Sequence, residues 1–205
     1  MILIDAADFV ATATKPDQWP KGLMAEVAFC GRSNVGKSSM INTLVNRRKL
    51  VRVSNTPGRT RTLNFFEAAL RDGQKKYRVR LCDLPGYGFA KASKTERAQW
   101  AEMIEGYLSA RNDLRVVVVI VDAYVGPTDD DRAMIDFCAG LPPRILVAAT
   151  KIDKLNKAAR KPKIEQIRKA LELPEGAVQG FSATEQMGVT EVWQALLSGI
   201  KPVDS

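Results

Sequence analysis

The chain has 205 residues, 31 Lys plus Arg against 23 Asp plus Glu, a net charge of +8 and no histidine. That length suits one well-packed domain, the basic balance suits a polyanionic partner such as RNA, DNA or an anionic membrane surface, and the lack of histidine excludes histidine-based triads, zinc sites and pH switches. The cysteines, Cys30, Cys82 and Cys138, are odd in number and lie in apolar stretches, the pattern of small core residues in a reducing cytoplasm and not of a disulfide framework.

Met1 to Ile4 opens apolar, but Asp5 and Asp8 follow at once and no run is long enough to span a bilayer, so a soluble protein without membrane insertion is expected. Residues 1 to 25 carry Lys15-Pro16 and Trp19-Pro20-Lys21-Gly22, turn chemistry that reads as an irregular lead-in packed on a domain of residues 26 to 205. Val27 to Cys30 is an apolar strand. It runs into Gly31-Arg32-Ser33-Asn34-Val35-Gly36-Lys37-Ser38, a complete G-x-x-x-x-G-K-[ST] loop, and Ser38 to Val45 continues as a helix with apolar spacing. A strand that turns into a helix through two glycines points successive backbone NH groups inward, a cradle for phosphate oxygens at a positive helix N-terminus. Lys37 would reach the β and γ phosphates of a nucleotide, and the Ser38 hydroxyl would ligate Mg²⁺.

After Arg47-Arg48-Lys49, residues Ser54 to Thr62 are polar and rich in hydroxyls and read as a mobile loop. A threonine there can complete the Mg²⁺ shell and close over the γ-phosphate as an order-to-disorder switch. Thr60 is preferred for that role, with Thr56 and Thr62 as competitors. Leu63 to Leu70 and Tyr77 to Asp83, separated by Arg71-Asp72-Gly73-Gln74, predict an antiparallel hairpin with a turn of the Asp-Gly type. Ser93 with Glu96 is a capping box that starts a helix to about Leu108, and Leu114 to Val121 is a strand buried on both faces. Thr128-Asp129-Asp130-Asp131 opens a helix ending near Gly140, followed by a strand at Ile145 to Ala149, a basic helix at about Ala158 to Leu171, a strand at Ala177 to Phe181 and a helix at Val189 to Leu197. The fold class expected is α/β: a three-layer α/β/α sandwich with a mostly parallel sheet and one antiparallel strand.

Further motifs fall on strand ends, where open α/β sheets bind ligands. Asp83-Leu84-Pro85-Gly86 matches D-x-x-G, whose aspartate holds Mg²⁺ and whose glycine NH can sense the γ-phosphate. Thr150-Lys151-Ile152-Asp153 matches [NT]-K-x-D. Its carboxylate offers two acceptors to the N1-H and N2 donors of guanine, whereas adenine presents an acceptor in place of N1-H, which disfavours an ATP-dependent kinase. Phe181-Ser182-Ala183 resembles the S-A element that meets guanine O6. Pro57-Gly58-Arg59-Thr60-Arg61 resembles the P-G-x-T-[RQ] element of a bacterial GTPase branch.

These strings, with Asn64-Phe65-Phe66 and the extension Tyr87-Gly88 after D-x-x-G, resemble the EngB family of P-loop GTPases, also called YihA or YsxC, over nearly the whole chain. The resemblance implies a bacterial cytoplasmic GTPase that binds GTP and GDP with Mg²⁺, takes part in assembly of the large ribosomal subunit and is connected with cell division and septation. It implies nucleotide contacts at Gly31 to Ser38, Gly58 to Thr62, Asp83 to Gly86, Thr150 to Asp153 and Phe181 to Ala183, with Lys37, Thr60 and Asn34 in catalysis and Ser38, Thr60 and Asp83 toward the metal. Tyr87 stands where Ras-like proteins place a water-orienting glutamine, so slow intrinsic hydrolysis is expected, and Arg32, Arg59 and Arg61 are the nearby candidates for an arginine finger. Asn34 either helps hold a K⁺ ion against the phosphates or bonds only within its loop. A monomer acting on the large subunit or its rRNA is the first reading. A nucleotide-regulated interaction protein acting on a division or membrane partner is the second, disfavoured by basic clusters spread over several elements without an aromatic amphipathic helix.

Overall fold

Nine residues, Leu114–Asp122, set the centre of the molecule. In the computed structural model, which describes residues 2–51, 62–87 and 94–203, they form strand β5. Its side chains alternate between two cores: Val116, Val118 and Ile120 face one, and Val117, Val119 and Val121 face the other. From Val116 to Val121 no position is polar, which is what a strand covered by helices on both faces requires.

The remaining strands are β1 (Ile2–Ala13), β2 (Glu26–Gly31), β3 (Leu63–Asp72), β4 (Lys75–Asp83), β6 (Arg144–Thr150) and β7 (Val178–Gly180), and the helices are α1 (Lys37–Leu44), α2 (Lys94–Ala110), α3 (Asp129–Ala139), α4 (Lys157–Ala170) and α5 (Val189–Leu197). The strands form one sheet in the order β1-β3-β4-β2-β5-β6-β7. Pairing is parallel from β4 to β7, and β3 runs antiparallel to both of its neighbours, so the sheet contains one reversed strand as expected. Met40, Ile41 and Leu44 of α1 pack with Val192, Trp193 and Leu196 of α5 on one face. Tyr107 of α2, Ile135 of α3 and Ile167 of α4 pack on the other. These are the three layers.

Two expectations need correction. Residues 2–13 are not irregular: they form an edge strand paired with β3 from Ile2↔Asp72 to Ala13↔Leu63. Register shifts between Ile4 and Ala6 and between Phe9 and Ala11 break the period-two pattern by which a strand is read, and four alanines lower its β-propensity. The hairpin turn is also displaced by one residue. Asp72 pairs with Lys75 as the last strand position, and Gly73, at φ 61°, opens a two-residue Gly73-Gln74 loop of the kind that needs a left-handed first residue.

At the end of β2 remote from the phosphate loop, Glu26 is fully buried between two arginines. Its Oε1 accepts from Arg80 Nη1 at 2.8 Å and from Arg111 Nη2, and its Oε2 accepts from Arg111 Nε at 2.7 Å and from the Tyr107 hydroxyl at 3.0 Å. Arg80 and Arg111 also donate to the carbonyls of Lys21 and Pro20. The carboxylate therefore ties the segment before β2 to the sheet and to α2.

Candidate functional site

The phosphate loop joins two elements that the sequence specifies separately. β2 is buried at every position and brings Gly31 to the carboxyl end of the sheet, and α1 begins six residues later at Lys37. Between them Asn34 (φ 65°) and Gly36 (φ 99°) adopt left-handed conformations, the backbone feature from which anion-binding concavities of NH groups are built. Asn accepts such a conformation more readily than other residues with a Cβ. No side chain caps α1, which leaves its first NH groups directed into the loop.

Three strand ends meet this loop. From β4, the Asp83 carboxylate, 3% exposed, forms an ion pair and hydrogen bond with the Lys37 ammonium. The chain then turns beneath the loop: Leu84 N donates to Phe29 O at 3.0 Å, Tyr87 N to Gly31 O at 3.2 Å, and Ser33 N to Tyr87 O at 3.2 Å. A Cβ on Gly86 would lie 3.2 Å from Ser33 Oγ and 3.3 Å from Ser33 N, so D-x-x-G and the phosphate loop are in backbone contact. Leu84 and Pro85 are buried. From β6, the Thr150 hydroxyl lies 2.6 Å from Val35 O, and the Lys151 ammonium, carried by a residue at φ 60°, donates to Asn34 O at 2.8 Å. Ile152 is buried and its NH donates to Phe181 O at 3.3 Å, which joins the β6 end to the β7 end. Asp153 lies in the 3-10 turn Ile152–Lys154. Ser182 is fully buried, exchanges backbone hydrogen bonds with Met187, and accepts from Glu185 N on its hydroxyl, while Ala183 is half-buried beside it.

Lys37, Asp83, Ser33, Gly86, Asn34, Lys151, Val35 and Thr150 are thus drawn into one cluster. Arg32 and Ser33 contribute backbone, and Arg32 Nε and Ser33 Oγ are buried without a hydrogen-bond partner among the described residues. Gly58, Arg59, Thr60 and Arg61 lie outside the described residues. Thr62 is half-buried at the entry to β3, its hydroxyl 3.5 Å from Asn64 Oδ1.

Sequence reading missed two carboxylates. Asp122, the last residue of β5, pairs with Lys151 at 2.8 Å and accepts from Tyr124 N and Val125 N. Burial pushes its carboxyl up, and the Lys151 ammonium with the two NH donors outweighs that, so it is held below the ordinary carboxylate range. Asp131 closes the Thr128 capping box on α3, and its other oxygen accepts from the Tyr87 hydroxyl at 2.8 Å. Burial first, then nearby negative charge, pushes the Tyr87 phenol upward, so it stays a donor. The side chain in place of a glutamine is therefore turned to α3.

Comparison with known proteins decides the family. Residues 26–151 match the family described as 50S ribosome-binding GTPase. A probable GTP-binding protein EngB of Myxococcus xanthus is 56% identical over 96% of each chain. The chain belongs to the EngB family of GTP-binding proteins. It is accordingly a GTPase that binds guanine nucleotide. Solved structures agree in fold: a probable GTP-binding protein EngB aligns with a TM-score of 0.67 at 23% identity over 86% of this chain and 98% of that one. A point variant of Aquifex aeolicus Era bound to GDP·AlF4⁻ aligns at 0.71 with 24% identity over 89% of this chain and 59% of that one. Among the described residues of this EngB-family protein no helix is long and apolar enough to cross a membrane.

Proposed function

We propose that this EngB-family GTPase is a slow GTP-driven switch in assembly of the large ribosomal subunit, a cytoplasmic monomer linked through that role to cell division and septation. The observation that carries the switch is the pairing of Lys37 with Asp83, which brings the cationic residue of the phosphate loop to the aspartate of D-x-x-G. On this reading the loop NH groups and Lys37 hold the β and γ phosphates, and the Gly86 NH responds to the γ-phosphate. The donor set fits Mg²⁺: Ser38, which follows Lys37, and Asp83, whose carboxylate meets the Lys37 ammonium, both carry hard oxygen donors. When bound, Mg²⁺ neutralises charge on the phosphate oxygens. Thr60, which lies outside the described residues, would complete the Mg²⁺ shell beside the γ-phosphate. Asp153 pairs with guanine N1-H and N2, the Lys151 stem lies along the base, and the backbone of Ser182 and Ala183 meets O6. Slow hydrolysis is supported by Tyr87, whose hydroxyl is engaged by Asp131 of α3.

The ribosomal half rests on the family and on a net charge of +8. Cosedimentation with purified large-subunit particles tests it, with tighter binding expected in a GTP analogue than in GDP. Nucleotide-blind binding would remove the switch, and no binding would remove the ribosome.

A further inference from the structure

A groove of 810 Å³ lies on the face opposite α2, α3 and α4, between α1, the start of β1 and the segment from Ala183 to Trp193. Its volume is in the ~300–1,000 Å³ range of ligand sites. The floor is rigid, because Trp193 is fully buried and its indole NH donates to Leu44 O at 2.9 Å. The walls are mixed: Ile2, Leu3, Ile4 and Val189 supply apolar surface on which a base can rest, and polar groups stand beside them. Ser39, Asn46, Thr184 and Gln186 offer uncharged donors and acceptors, and Arg47 and Arg48 stand exposed at one end.

Those arginines differ from most others in the chain. Arg71, Arg80, Arg111, Arg132, Arg144, Arg160 and Arg168 each spend guanidinium donors on a carboxylate or a carbonyl of the fold. Among the described residues the guanidinium groups of Arg47 and Arg48 have no such partner. Two adjacent planar forks with unspent donors, beside hydroxyl and amide groups, match alternating phosphates and ribose or base edges. A lipid headgroup would match the arginines but leave the amides and hydroxyls without a role, and an acidic peptide would lack the repeating hydroxyls that those groups suit.

We infer that this groove is a docking site for single-stranded RNA, with Arg47 and Arg48 on successive phosphates. The proposal deepens the ribosomal reading above by naming where RNA would seat. Ser39 follows Ser38 of the phosphate loop and Thr184 follows Ala183, so the lining of the groove continues directly from both segments.

The test measures binding of a short labelled single-stranded RNA of mixed sequence by fluorescence anisotropy across a salt series. Compared are the parent, R47A/R48A, R47E/R48E and, as a control of equal charge change on the exposed hairpin, K75E/K76E. R47E/R48E should bind at least about tenfold more weakly than the parent, and R47A/R48A should lower the log–log salt slope by about 1.4, two contacts at about 0.7 each. K75E/K76E should lose no more than about threefold. Unchanged binding in R47E/R48E, an equal loss in K75E/K76E, or a parent that binds anionic phosphatidylglycerol vesicles and not RNA would each overturn the groove. Cosedimentation with large-subunit particles separates the two readings. RNA binding through the arginine pair without particle binding leaves the groove standing and removes the ribosome; particle and RNA binding that both survive R47E/R48E do the reverse.

Discussion

On the proposed reading Asp153 would choose the base through two acceptor oxygens, so changing one of them to a donor should change the base preferred. Asp153→Asn should weaken GTP several-fold or more and improve xanthosine nucleotides, whose 2-oxo group accepts from the new amide. Titration calorimetry reads both, and equal GTP affinity in variant and parent would remove Asp153 from the base site. Asp122 makes a different prediction. Its carboxyl is held below the usual 3.8 in the folded protein, so the unfolded chain takes up its proton first as pH falls. The stabilisation is therefore complete above the unfolded value and is lost as pH drops through the folded one. Urea unfolding from pH 5 to pH 2 should show this loss in the parent and a flatter profile in Asp122→Asn. Asn34 carries the third. Its left-handed backbone accounts for an asparagine, and its exposed amide also suits K⁺ coordination beside the phosphates. Hydrolysis should run faster in K⁺ than in Na⁺ at equal ionic strength and lose that preference in Asn34→Ala; a stimulation that survives the substitution would assign the ion elsewhere. What sequence reveals at this scale is contiguous chemistry. Gly31 to Ser38 and Thr150 to Asp153 are legible because each motif is one unbroken string. Asp122 and Asp131 are not, because their partners Lys151 and Tyr87 arrive from other strands.

Elements were legible where one period holds. The 3.6-residue spacing gives α5 at Val189–Leu197 and the acidic first turn gives α3, while β5 declares itself by the unbroken apolar run from Val116 to Val121. β1 was hidden because two bulges each shift the alternation by a residue. The buried cluster around Glu26 was equally invisible, since Arg80 and Arg111 lie on β4 and just beyond α2. It yields a prediction for the element it anchors. Glu26→Gln takes the carboxylate from Arg111 while Arg80 keeps Glu67 at 2.9 Å, and losing one partner of a buried ion pair costs about 3–5 kcal/mol. Denaturant unfolding should show a loss of that size, while GTP affinity of the folded fraction stays unchanged because Glu26 lies at the opposite end of β2 from Gly31.

For the molecule as a whole, net charge predicts a salt dependence that no single contact fixes. Attraction between a +8 protein and rRNA comes largely from counterion release, so binding to large-subunit particles should fall steeply as salt rises. Binding that ignores salt would point to a ribosomal protein as the partner surface. The two cores also place the cysteines. Cys30, Cys82 and Cys138 are free and buried on the side of the sheet covered by α2, α3 and α4, and burial pushes all three thiols up. At neutral pH such thiols react with an alkylating reagent only after the surrounding structure opens. Cys30 immediately precedes Gly31, and Cys82 immediately precedes Asp83. The protein thus contains its own chemical reporters at the roots of the phosphate loop and of D-x-x-G, and the labelling rate at each cysteine measures how tightly a bound ligand holds that part of the sheet closed, with no foreign probe introduced.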